Sequence, residues 1–175
     1  MIVYVRMIAK TGLRNTWRDV GEPRIMIEHA RSETAPRPDP ARNSPSRVLV
    51  VEDDPYLRRV LVRTLEGWGF LISEAGDGGT AVDLATNCGS DLAIVLLDIM
   101  LPVMNGIEVA RTVHRDRPNL CIVACSAAMN DEMRAELREV GVRYFLPKPY
   151  TADALKDVVR IALDSASQAS SPQTE

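Results

Sequence analysis

The sequence predicts an α/β fold: a five-stranded parallel sheet, doubly wound, with helices on both faces. Short apolar runs alternate five times with helix-patterned segments, and the runs at 48–51 and 92–97 (LAIVLL) are apolar without interruption. Continuous apolar runs suit strands buried on both faces. Strand–helix alternation then makes the pairing parallel, because each crossover packs back right-handed.

Val48-Leu49-Val50-Val51 is the first strand, closed by Glu52, Asp53 and Asp54. Pro55 stands where a first helical turn tolerates proline. Leu57, Val60, Leu61, Leu65 and Trp68 share one face of the helix that follows, until Gly67 and Gly69 stop it. Residues 70–75 (FLISEA) read as the second strand, and 77–87 as a helix with Ala81, Val82, Leu84 and Ala85 inward. The third strand ends at Asp98. Helix at 105–115, strand at 120–125, helix at 131–140 with Met133, Leu137 and Val140 inward, and strand at 142–146 follow. Thr151 can cap a last helix that carries Leu155, Val158, Val159, Ala162 and Leu163.

The flanks read differently. Residues 32–46 (SETAPRPDPARNSPS) hold four prolines among small polar residues, which suits a linker. Residues 165–175 (SASQASSPQTE) have the composition of a disordered polar tail. Residues 1–31 form an N-terminal extension of unknown structure, either a short helical piece around Ile25, Met26, Ile27 and Ala30 or the product of an upstream start codon.

Composition excludes several functions. Residues 1–46 carry eight basic against five acidic side chains and the rest 13 against 19, an asymmetry too weak for a nucleic-acid arm. Three cysteines without CxxC spacing fit neither a disulfide framework nor a zinc site; Cys121 and Cys125 lie in an apolar run as buried, inert thiols. The apolar start, 1–9, is broken by Arg6 and too short to span a bilayer. A cytoplasmic protein with no membrane association is expected.

In parallel sheets of this kind, ligands bind beyond the carboxyl ends of the strands. Glu52 and Asp53 follow strand one, Asp98 ends strand three, Ser126 and Ala127 follow strand four, and Lys148 follows strand five. Carboxylates brought together there repel unless a cation neutralises them. Oxygen-only ligands suit a hard divalent ion, and Mg²⁺ is the cytosolic choice. A carboxylate held ionised by a metal and a lysine is a poor general acid but a good nucleophile toward phosphorus. Asp98 is therefore the candidate phosphoacceptor.

Four motifs, VLVVEDDP (48–55), LLDIMLPVMNG (96–106), CSA (125–127) and LPKPY (146–150), resemble the receiver domain of bacterial response regulators over 47–164. The resemblance implies a flavodoxin-like strand order 2-1-3-4-5. It also implies metal ligation by Glu52, Asp53, Asp98 and the backbone carbonyl of Met100. Ser126 would hydrogen-bond the phosphoryl group, Ala127 would leave room for it, and Lys148 would pair with it across a cis bond to Pro149. Phe145 falls at the aromatic switch position, where many members carry Tyr, so switching here would rest on packing. The donor implied is a phosphohistidine of a sensor histidine kinase or histidine phosphotransfer protein. The implied output is a downstream protein, or a homodimer through helix four, strand five and helix five. No DNA-binding domain is expected after the receiver. The protein would be a signalling domain that promotes its own phosphorylation and dephosphorylation, not a turnover enzyme.

Blander readings exist for each residue. Asp98 could cap a helix, Lys148 could be a surface lysine, Ser126 could merely end a strand, and Phe145 could be core alone. Asp54 and His114 read as solvated, and Met100, Met104 and Met129 as packing residues. A haloacid-dehalogenase-type phosphatase also uses an aspartate after an apolar strand, but needs a second acid two residues on, where this chain has Met100. A nicotinamide-binding fold lacks its glycine-rich loop after VLVVEDD. A receiver fold serving as an unphosphorylated scaffold remains the third alternative.

Overall fold

The computed structural model describes residues 46–169. The extension at 1–31, the linker up to residue 45 and the last tail residues, 170–175, lie outside the described residues. In chain order the elements are β1 (Arg47–Val51), α1 (Pro55–Gly67), β2 (Leu71–Ala75), α2 (Gly78–Asn87), β3 (Leu92–Asp98), α3 (Gly106–Asp116), β4 (Cys121–Ser126), α4 (Asp131–Glu139), β5 (Tyr144–Pro147) and α5 (Ala152–Ala169). All strands pair in parallel, in the predicted order β2-β1-β3-β4-β5. Among the described residues, no helix is long and apolar enough to cross a membrane.

Successive side chains on a strand face opposite ways, so the sheet makes two cores. Val48, Val50, Ile94, Leu96 and Val123 pack with Leu61 and Leu65 of α1 and Leu155 and Val158 of α5. Leu49, Val51, Val95, Leu97 and Ala124 pack with Ala81 of α2, Val109 and Val113 of α3, and Leu137 of α4. Every residue of β3 is buried, which is why it reads as an unbroken apolar run. Each large apolar side chain buried this way contributes about 1.5–3 kcal/mol. β3 therefore anchors Asp98 at the sheet's centre.

β2, β4 and β5 begin later than the apolar pattern suggests, and β2 and β5 do so for one reason. After α1, Gly69 (φ 91°) donates its amide to Glu66 and Phe70 donates to Leu65; after α4, Gly141 (φ 101°) donates to Arg138 and Val142 to Leu137. This paired closure of a helix C-terminus needs a left-handed residue, which glycine adopts freely. Phe70 and Val142 stay buried, but their amides serve the helix ends and not the sheet.

Asp54 was expected to be only solvated. Its carboxylate instead accepts from the amides of Tyr56 and Leu57 and so caps α1, with Pro55 as the first helical residue. Such a cap stabilises by about 1 kcal/mol. His114 is half-buried, its ring lying where a Cβ on Gly141 would fall. α5 continues through Ala169, past residue 164 where the tail was expected to begin. Residues 165–169 contain no glycine or proline to stop it, and the Tyr144 hydroxyl bonds Ser165 Oγ at 2.6 Å. Ser46, expected in the linker, is buried and its carbonyl accepts from Leu71.

Candidate functional site

Because all five strands run the same way, the residues that follow them share one edge. Glu52 follows β1, Asp98 and Ser126 are the last residues of β3 and β4, and Lys148 follows β5. Main-chain bonds lock these strand ends together: Ile99 donates to the carbonyl of Cys125, and Lys148 to that of Ser126, each at 2.9 Å. The Lys148–Pro149 bond is cis, as the resemblance implies.

Lys148 Nζ donates to Glu52 Oε2 at 2.6 Å and to Asp98 Oδ2 at 2.5 Å. All three side chains are at least nine-tenths buried. The other oxygen, Asp98 Oδ1, accepts from the amide of Met100 at 2.8 Å, which fixes the carboxylate's orientation. Asp53 is exposed, yet carboxylate oxygens of Glu52, Asp53 and Asp98 lie within 4.8 Å of one another. Three carboxylates therefore face one ammonium. Burial pushes the Glu52 carboxyl up to about 7; Lys148 opposes this only in part, and Asp98 adds to it. Burial works against the Lys148 ammonium too, but Asp98 and Glu52 together outweigh it and raise its pKa. An all-oxygen donor set with surplus negative charge suits a hard divalent cation such as Mg²⁺.

Gly106 holds the β3–α3 loop against this centre. A Cβ there would fall 2.6 Å from the carbonyl oxygen of Asp98 and 2.5 Å from Ile99 Cα, so only glycine fits. Ser126 is fully buried, and its Oγ accepts from the amide of Ala128 at 3.2 Å. Ala127 is exposed just beyond it. Phe145 does not join the group: it is 4% exposed, in the core shared with α3 and α4, with the Arg138 guanidinium 5.6 Å from its ring centre. Met104 and Met129 pack against that core as expected, whereas the Met100 side chain is 57% exposed. The backbone of Met100 is tied to Asp98, and its side chain lies outward.

Two features escape sequence reasoning. Arg58 reaches the backbone of the acidic pair, donating to the Glu52 carbonyl at 2.6 Å. Nothing in the spacing separates it from the exposed Arg59 beside it. Val103, in the loop between β3 and α3, has φ 70° and is fully exposed. A β-branched residue there is strained by about 1–2 kcal/mol. Val103→Gly removes that strain and no packing, at the cost of about 0.5–1 kcal/mol of extra chain entropy. A net gain of about 0.5–1 kcal/mol is expected, read as a higher urea midpoint; a lower midpoint would contradict it.

A family model described as the response regulator receiver domain matches residues 48–160. Response regulator MprA of Mycobacterium sp. (strain KMS) is 33% identical over 130 residues, covering 74% of this chain and 56% of that protein. The chain thus spans little more than half of that relative's length. Protein CcdB of Bacillus subtilis (strain 168) is 33% identical over 115 residues, 65% of this chain and 94% of that protein. The crystal structure of a CheY-like receiver domain protein from Methanospirillum hungatei JF-1 superposes with a TM-score of 0.69 at 24% identity, covering 72% of this chain and 99% of that one.

Proposed function

The chain belongs to the response regulator receiver family and serves phosphorylation-based two-component signalling, and from that premise we propose that Asp98 is the residue that takes the phosphoryl group. The observation that carries this reading is the buried bridge from Lys148 to both Asp98 and Glu52, closed by the exposed carboxylate of Asp53. The donor is a phosphohistidine on a sensor histidine kinase or a histidine phosphotransfer protein. A carboxylate oxygen of Asp98 forms the new bond to phosphorus as the phosphorus–nitrogen bond breaks, and its electron pair returns to the imidazole.

Glu52, Asp53, Asp98 and the Met100 carbonyl would hold Mg²⁺, which supplies positive charge to the phosphoryl oxygens. Lys148 pairs with the Asp98 carboxylate before transfer and with the product's charge afterwards. Ser126 Oγ accepts from Ala128, so its own proton is free for a phosphoryl oxygen. Ala127 is small enough to leave that approach open. Displacement of Ser126 toward the phosphoryl group would be read out through the packing of Phe145, and so reshape the surface formed by α4, β5 and α5. That face then meets a downstream protein or a second copy of the chain, a two-state equilibrium biased by one charged group.

Incubation with Mg²⁺ and acetyl phosphate should add one phosphoryl group, on the peptide that contains Asp98. Asp98→Asn should abolish the gain. Modification of the asparagine variant to the wild-type extent would end the assignment.

A further inference from the structure

The geometry points to Arg58 as a positioning residue: it sets the main chain of Glu52 and Asp53, and thereby the cation affinity of a site whose carboxylates it does not bond. This inference rests on the function proposed above. Residues 52–54 belong to no helix or strand, so the sheet holds them by little more than its last rung. The Glu52 amide donates to the Ala75 carbonyl at 3.1 Å, a last rung beyond β1. Its carbonyl accepts from Arg58 Nη1 at 2.6 Å, and the Asp53 carbonyl lies 3.4 Å from the same nitrogen. Arg58 is itself anchored, its amide donating to the Asp54 carbonyl at 2.9 Å and its Nε to Glu74 Oε2 at 3.3 Å. The loop, the first turn of α1 and the end of β2 are thus tied through one guanidinium.

Two further details make this a fitted arrangement. A Cβ on Gly76 would stand 3.3 Å from Arg58 Nη1, so the bare main chain there leaves the guanidinium its place. The Arg58 side chain is 20% exposed, while its neighbour Arg59 is exposed. A guanidinium spreads its donors over a planar fork and so reaches carbonyls and a carboxylate that lie apart, a span a compact ammonium does not cover. With the main chain fixed from both sides, the Glu52 carboxylate is directed to Lys148 and the Asp53 carboxylate is kept within 4.8 Å of those of Glu52 and Asp98.

Groups that orient metal ligands typically change affinity by roughly 10- to 100-fold when removed. Titration of the unphosphorylated protein with Mg²⁺, followed by calorimetry, tests the idea without any phosphoryl transfer. Arg58→Ala should weaken binding by roughly tenfold, and Arg58→Lys by less. Val62→Ala, a stability control on the same helix, should leave the affinity unchanged. Gly76→Ala should weaken binding by roughly two- to threefold in the wild type and not at all in Arg58→Ala, because both act through one group. Wild-type affinity in Arg58→Ala, or an equal loss in Val62→Ala, would overturn the assignment. Should Arg58→Ala fail to fold, wild-type affinity in both Arg58→Lys and Gly76→Ala would overturn it equally. A wild type that binds no Mg²⁺ at millimolar levels would instead remove the functional reading beneath it.

Discussion

Lys148→Ala is expected to destabilise protein kept in a chelator by about 3–5 kcal/mol. Its ammonium is 8% exposed and bridges two carboxylates that are 4% and 7% exposed, so its loss leaves both acids buried and facing each other. Part of the cost is offset by protonation, since burial already holds the Glu52 carboxyl near 7. Removing one partner of a buried ion pair is worse than replacing the whole set, because the uncompensated charge stays behind. Millimolar Mg²⁺ should restore part of the lost stability by supplying the missing positive charge. Urea midpoints with chelator and with Mg²⁺ give the comparison. An unchanged midpoint in chelator would show that the ammonium does not compensate these acids.

Gly106→Ala is the second large effect, expected at about 1–3 kcal/mol and toward the top of that range. The atoms a new Cβ would meet are the Asp98 carbonyl oxygen and Ile99 Cα, both main chain, so no side chain can swing aside. Relief must come from moving β3's end or the start of α3. The rate of phosphoryl acceptance should therefore fall by more than the loss of stability accounts for. Gly67→Ala is the matching control: it lies at the end of α1 with nothing within 4 Å of the added Cβ, so it should raise stability by about 0.4–1 kcal/mol through lower chain entropy and leave the rate unchanged. Equal rates in wild type and Gly106→Ala would mean that Asp98 does not depend on this contact.

The sheet was legible because burial on both faces writes itself as unbroken apolar runs, as in β3, and because strand–helix alternation leaves few topologies. The acidic residues were legible because chemistry collects at strand ends, and Glu52, Asp98 and Lys148 do meet there. The starts of β2 and β5 were not legible, since apolar character cannot reveal that the Phe70 and Val142 amides serve helix ends. Asp54 reads as a solvated acid in the sequence; its two bonds to α1 amides, which a linear pattern does not show, make it a cap. Arg58 was invisible for a different reason. Its partners are carbonyls before α1 and a glycine just beyond β2, and neither leaves a mark in a linear pattern.

One measurement bears most directly on the whole account: a crystal structure of the protein with Mg²⁺ and beryllofluoride, a mimic of an acyl phosphate. The expected result is beryllium bonded to an Asp98 carboxylate oxygen, its fluorides accepting from Lys148 Nζ and Ser126 Oγ, with the cation against Asp53 and the Met100 carbonyl. Beryllofluoride on another side chain, or a cation bound away from residues 52, 53 and 98, would contradict it.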